Sequence, residues 1–287
     1  MQQYDNADCW VDCWKSAAQN DGSITDESIA AIWNRRSGRF ARDMDSEKRQ
    51  RRAADVFAIL EEAGFSPRGA NVLDIGCGPG TLSLPLARAG ADVTSFDVST
   101  GMLDRLKEAA RNEGLTISPI ECSWWTADID ELGFWNAFDL VIASMTPGVK
   151  DVETFDRMMA RSKRLCYYSN FIRRDTDRAY REISRDILGE EPRAGAHGPG
   201  FLYPFMYLYT LGYQPIVRFS RHSGDREQDW AKAAERAIDF LAGNREFSDD
   251  VKEKIREYYR SAASQDGIYR SGSETFSGMM VWTVNSR

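Results

Sequence analysis

Val72-Leu73-Asp74-Ile75-Gly76-Cys77-Gly78-Pro79-Gly80-Thr81 is the stretch that decides the fold. Residues 71–75 read as a short buried strand. Three glycines follow at alternate positions, and the segment beyond them reads as a helix to about Arg88. Glycines at a strand end permit positive φ and let a ligand approach the backbone closely. A second strand covers 92–97 and closes on Asp97, seventeen residues after Gly80. Met102, Leu103, Leu106, Ala109 and Ala110 recur at helical spacing. Strands are then expected at 116–122, 138–143 and 164–169, with a helix carrying Val152, Phe155 and Met159 before the last. Strands separated by helical crossovers imply an α/β chain with a parallel sheet and helices on both faces.

In open sheets of this kind ligands bind outside the carboxyl ends of the strands. A dinucleotide loop has the spacing G-x-G-x-x-G, whereas here the third glycine comes one residue early and Asp74 precedes the first. A pyrophosphate gains from an uncluttered helix N-terminus. An acid beside the loop suits a cationic ligand instead, an amino-acid ammonium or a sulfonium. The spacing favours S-adenosylmethionine, with the Asp97 carboxylate able to accept from both ribose hydroxyls. The segments VLDIGCGPGTLSLPLA (72–87) and VTSFDVSTGMLDRLKEAA (93–110) resemble the first two motifs of class I methyltransferases. They are similar to the ubiquinone/menaquinone-biosynthesis type, and the likeness covers about residues 50–170. It implies a Rossmann-like, seven-stranded, doubly wound sheet with N-terminal helices and a helical C-terminal insertion. It also implies S-adenosylmethionine as cofactor: Gly76, Gly78 and Gly80 around the methionine moiety, Asp74 near its amino group, Asp97 on the ribose and Met102 against adenine.

The chain departs from that pattern after the third strand. The family places an Asp there; this sequence has Ser123-Trp124-Trp125, with Asp128 further on. Ser123 is the candidate hydrogen-bonding substitute, and Trp124 the candidate wall of the adenine pocket or a core residue. The fourth strand ends Ala143-Ser-Met-Thr-Pro147 without an Asn/Asp-Pro-Pro-aromatic motif, which argues against exocyclic base amines and glutamine amides as acceptors. Methyl transfer from an activated donor needs chiefly positioning. A base is needed only when the acceptor must lose a proton, and His197 and His222 are the candidates for that role. Tyr167, Tyr168 and Asn170 end the fifth strand, where the family often lines its acceptor site.

The flanks are less regular. Trp10, Cys13, Trp14 and Ala17 mark one helical face, Ile29, Ile32 and Trp33 a second short helix, and a third starts near Ser46 and ends before Gly64. By resemblance Trp33, Arg36 and Phe40 stand nearest the cofactor cleft. Residues 1–65 are expected as a helical cap and 66–287 as the methyltransferase domain, with a substrate cover at about 190–275. Within that region come a glycine-rich loop (189–200), an aromatic run from Phe201 to Tyr213, a strand at 214–220 and two helices. A closing strand is expected at 278–284. The five cysteines read as free thiols, and Cys9 and Cys13 as neighbours packed beside Trp10 and Trp14; no metal site is expected. A net charge of −7 argues against nucleic acid as a partner. The basic run from Arg35 to Arg52 reads as a solvated surface or as a local site for an acidic group, the cofactor's carboxylate included. Apolar runs fall short of the roughly 20 residues that cross a bilayer, and the first ten residues do not read as a secretion signal, so a cytoplasmic setting is expected. The function expected is methyl transfer to a small-molecule substrate. The alternatives are a non-catalytic S-adenosylmethionine-binding module and a nicotinamide-dependent oxidoreductase. Oligomeric state is not specified by these features.

Overall fold

The computed structural model describes residues 4–19, 25–43, 46–174, 178–191, 200–243 and 245–285. Three helices come first: α1 (Tyr4–Gln19), α2 (Asp26–Asp43) and α3 (Ser46–Glu62). The alternating section follows as β1 (Asn71–Ile75), α4 (Ser83–Arg88), β2 (Asp92–Asp97), α5 (Thr100–Glu113), β3 (Ser118–Glu121), β4 (Phe138–Ser144), α6 (Val152–Arg161) and β5 (Ser162–Arg174). The chain ends with α7 (Arg178–Asp186), α8 (Leu202–Thr210), β6 (Ile216–Asp229), α9 (Trp230–Ala242), α10 (Asp249–Ala262) and β7 (Ile268–Thr283). The strands form a seven-stranded sheet in the order β3-β2-β1-β4-β5-β7-β6. β1 pairs in parallel with β2 and β4, β2 with β3, and β4 with β5. This is the Rossmann-like, doubly wound α/β arrangement expected, and its order reverses between β1 and β4, where ligands of such sheets bind.

Side-chain alternation along the central strands builds two cores. Leu73, Ile75, Phe96, Val141, Ala143 and Tyr168 face one side and pack with Trp14 of α1, Phe155 and Met158 of α6, and Tyr207 and Leu208 of α8. Val72, Val93, Leu140, Ile142 and Leu165 face the other and pack with Val56, Ile59 and Leu60 of α3 and Leu86 of α4. Chain termination is equally local. α3 stops where Gly64 takes φ 75°, and the Phe65 and Gly64 amides return to the carbonyls of Leu60 and Glu61.

By contacts the chain divides into two units. The first holds 1–172, 197–219 and 277–287; the second holds 173–196 and 220–276. The N-terminal helices thus fall in the same unit as the central strands, and α1 contributes a fully buried Trp14 to its core. Within that helix Cys9 and Cys13 are exposed rather than packed beside the tryptophans. α2, expected to be short, runs for 18 residues. The second unit has a core of its own, in which Ala179 and Ile183 of α7 meet Ala233, Ala237 and Ile238 of α9 and Ile255 and Tyr259 of α10. The last three strands are longer than the expected 164–169, 214–220 and 278–284. The added part of β6 is polar and mostly exposed, so no apolar alternation announces it. Its support comes from cross-strand pairs instead: Arg270–Glu227 at 2.8 Å between β7 and β6, and Glu274 of β7 with Arg173 of β5 (2.9 Å) and Arg221 of β6.

Phe155 is the hub of the first core: its ring meets those of Trp14, Tyr168, Tyr207 and Trp282 at centroid distances of 5.7, 5.9, 6.2 and 5.5 Å. Phe155→Ala is expected to cost about 3–5 kcal/mol. Urea unfolding followed by tryptophan fluorescence measures it.

Candidate active site

The glycine loop leaves β1 and turns back over the sheet. A Cβ on Gly76 would lie 1.9 Å from Thr146 Oγ1, so the loop can rest on the end of β4 because that position has no side chain. Gly78 donates its amide to Asp97 Oδ2 at 2.8 Å, and the Ser99 amide donates to Asp97 Oδ1 at 2.9 Å. The ends of β1 and β2 are thereby locked together through one carboxylate. Ser99 also caps α5, accepting from the Met102 amide at 3.2 Å.

A cleft of about 900 Å³, part of it open to solvent, lies against this loop. Asp74, Gly76, Gly78, Asp97, Met102, Ser123 and Trp124 all contribute to its walls. Gly80 does not: it faces Leu84 and Leu106, and a Cβ there would meet Leu106 Cδ1 at 2.4 Å. Trp124 is 3% exposed; its indole N–H donates to the Thr154 carbonyl at 3.1 Å and its ring stands edge-on to Phe96. It is a core residue that also closes the cleft. Of the candidate bases, His197 lies outside the described residues, as does the side chain of His222. Tyr167, Tyr168 and Asn170 are not cleft walls: Asn170 Nδ2 donates to the Tyr168 hydroxyl (2.9 Å), which in turn donates to the Gly200 carbonyl (2.9 Å). Among the described residues no group of three or more His, Cys, Asp or Glu side chains is placed to hold a metal ion.

Other residues join the walls. Ile29 and Trp33 come from α2, Trp125 from the segment after β3, Met145 from the end of β4, and Arg52 from α3. Trp33 was legible as a family position, but Arg52 was hidden in its basic run. Its signal is its spacing, four residues before Val56 and seven before Ile59, on the buried face of an otherwise amphipathic helix. Trp125 is fixed by its indole N–H on the Pro147 carbonyl (3.1 Å), with the Lys150 ammonium 4.3 Å from its ring. Met145 holds φ 53°, a left-handed conformation uncommon for a side-chain-bearing residue, and its amide donates to Ser169 O at 2.8 Å. α2 is pinned across the start of α5 by Asn34, whose Oδ1 accepts from the Ser99 hydroxyl (2.7 Å) and the Gly101 amide (2.9 Å). The helices come so close there that a Cβ on Gly101 would lie 2.7 Å from Ser37 Oγ.

The cleft's charges have distinct settings. Asp74 is 2% exposed and accepts from Ser83 Oγ at 2.7 Å, and the Ser95 hydroxyl donates to Ser83 at 2.9 Å. Burial pushes its carboxyl up to about 6, and the nearby Asp97 adds to this; the Ser83 hydrogen bond and Arg52 offset part of the rise. Asp97 is also raised by burial, against the pull of the two amides. Arg52 donates to Ser144 Oγ at 3.1 Å, and burial lowers its pKa, opposed by Tyr167 and Asp74. An acid that gains by meeting a cation, a guanidinium nearby, and an amide-locked carboxylate at the next strand fit an amino acid joined to a ribose.

The chain is similar to several known proteins. A profile described as methyltransferase domain matches residues 72–167. An uncharacterised protein of Haemophilus influenzae is 28% identical over 218 residues, 75% of this chain and 76% of that one. A ubiquinone biosynthesis O-methyltransferase of Actinobacillus pleuropneumoniae is 51% identical over 49 residues, which is 17% of this chain and 21% of that enzyme. Among solved structures, magnesium protoporphyrin IX methyltransferase from Synechocystis PCC 6803 with bound SAH aligns with a TM-score of 0.48 at 15% identity, covering 88% of this chain and 98% of that one. The domain around the glycine loop is a class I methyltransferase domain. Residues 72–167 therefore carry a methyltransferase domain.

Two outcomes are expected in calorimetry with S-adenosylhomocysteine. Asp97→Ala should weaken binding at least about tenfold and also lower stability by about 1–3 kcal/mol, because the Gly78 and Ser99 amides lose their acceptor. For Asp74 the sign follows from a carboxyl raised from 3.8 to about 6. Its contribution to folding is fully present below the lower value and is lost as pH rises through the higher one. Affinity for the ligand's ammonium runs the other way. It should increase as pH rises from about 5 to 7 and lose that dependence in Asp74→Asn.

Proposed function

We propose that the chain is an S-adenosylmethionine-dependent methyltransferase that passes the methyl group to a small-molecule acceptor, with the cleft residues in the roles their surroundings support. The observation that carries the assignment is that one cleft gathers Asp74, Gly76, Gly78, Asp97, Met102 and Ser123 from the ends of three adjacent strands and the helix after the second. Asp74 faces the cofactor's ammonium and Arg52 its carboxylate. Each Asp97 oxygen is spent on one amide and keeps a lone pair for a ribose hydroxyl. Met102, 2% exposed, supplies an apolar bed for the base. When bound, S-adenosylmethionine supplies an electrophilic methyl carbon, so the protein's part is to align the acceptor and keep water away. Trp33, Trp125 and Met145 give the remaining wall an apolar and aromatic character, which suits an apolar or aromatic acceptor. The role of the 1–65 segment as a cap and of 190–275 as a substrate cover belongs to the same proposal, as does a cytoplasmic setting; among the described residues no helix is long and apolar enough to cross a membrane. Trp33, with the Arg36 guanidinium 5.8 Å from its ring, would be the cap's contact with the cofactor.

Incubation with methyl-labelled S-adenosylmethionine and fractionated cell extract tests the proposal. Label is expected in a low-molecular-weight fraction. Label confined to protein or RNA would overturn the small-molecule assignment, and label in no fraction would favour a binding module. Amide exchange across 190–275 is expected to slow when cofactor and acceptor are both present.

A further inference from the structure

β1, β2 and β3 are neighbours in the sheet, so their carboxyl ends step sideways by roughly 4.8 Å each. Asp74 stands on β1, Asp97 at the end of β2, and Cys122 to Trp125 just beyond β3. Given the cofactor placement proposed above, on which this inference rests, a methionine chain over β1 and a ribose at Asp97 leave the base beside the residues after β3.

Most polar hydrogens in that wall are already committed. The Trp124 and Trp125 indoles donate to the Thr154 and Pro147 carbonyls, and the Cys122 thiol points to the Ser123 carbonyl at 3.7 Å. The Ser123 hydroxyl is committed too. It donates to Asp26 Oδ1 at 2.7 Å while accepting from the Trp125 amide at 3.2 Å. A serine hydroxyl has one proton and two lone pairs, so what it retains for the cleft is a single lone pair. The arrangement is rigid on the other side as well. Asp26 opens α2 directly after Thr25, whose hydroxyl and amide exchange hydrogen bonds with Ser28, and its second oxygen accepts from the Thr126 hydroxyl at 2.7 Å. Turning the Ser123 proton toward the cleft would strand a carboxylate oxygen, and a hydrogen bond to an ionised partner is about twice as strong as a neutral one.

We propose that Asp26, a positioning residue outside the cleft wall, holds Ser123 as an acceptor and so makes this end of the cleft select a 6-aminopurine over a 6-oxopurine. An exocyclic amino group offers a hydrogen to the Ser123 lone pair. A ring carbonyl at the same place sets lone pair against lone pair. The cofactor's base is thus read through α2, by a carboxylate that never touches it.

Calorimetry with S-adenosylhomocysteine and its 6-oxo counterpart, S-inosylhomocysteine, tests this on the full chain. The wild type should favour the amino compound by about tenfold or more. In Asp26→Ala the hydroxyl is free to rotate, and the ratio should collapse mainly because the oxo compound binds better; mere loosening of α2 would weaken both ligands alike. Ser123→Ala should collapse the ratio from the other side, through loss of affinity for the amino compound, which keeps the test intact if the first variant folds poorly. Thr126→Ala removes the other partner of Asp26 and should leave the ratio as in the wild type. Equal binding of both ligands by the wild type, or an undiminished ratio in Asp26→Ala, overturns the proposal. Failure of the wild type to bind either ligand overturns the cofactor placement itself.

Discussion

The carboxylate of Asp97 is where the chain's separate loops become one site. It is 8% exposed, and the energy that burial costs it is partly offset by two amide hydrogen bonds from different turns, Gly78 after β1 and Ser99 before α5. The connection continues outward, because Ser99 caps α5 at Met102 and donates its hydroxyl to Asn34 of α2. A single acid therefore ties the glycine loop, the α5 helix and α2 into fixed mutual positions. The parallel sheet supplies strand ends at regular spacing, but this chain of hydrogen bonds makes their loops converge.

The charges in the cleft follow from the same economy. Asp97, on the strand adjacent to Asp74, adds to the cost of ionising Asp74, an arrangement that a passing neutral ligand would not relieve. Arg52 offsets part of it from α3. The cleft holds a standing demand for a cation at one end, which on the proposed placement the cofactor's ammonium meets while its carboxylate faces Arg52. A pyrophosphate would meet two acids there, which explains in electrostatic terms why the early third glycine and Asp74 go together.

Much of the architecture was legible because it rests on short-range rules. β1, β2 and β4 are buried along most of their length and bounded by glycine or polar turns, so they fell close to their expected ends. The Asp74, Gly76, Gly78, Asp97 and Met102 set converges on the cleft because strand order and loop spacing leave few alternatives. What escaped notice depends on partners far away in the chain. The outer part of β6 carries no apolar period and is held by Glu227 and by Arg221 on β7 residues. Gly80, alike in sequence to Gly76 and Gly78, serves the packing of α5 rather than the cleft. Arg52 was one of eight basic residues in its run, singled out by its place on the buried face of α3, and the bond from Ser123 to Asp26 joins residues 97 positions apart. The Cys9 and Cys13 thiols show the opposite error, a helical period that marks a face without saying how far the buried stripe extends around it.

The near-contact between α2 and α5 bears on how this protein can change over time. Gly101, Ser37 and Asn34 occupy one small volume, and a side chain at position 101 would displace the hydroxyl that now fills it. The three positions are therefore coupled: an alanine at 101 requires the Ser37 side chain to move or be replaced. The N-terminal segment is free to diverge in its outward residues while its inward ones remain bound to the history of the helix beneath.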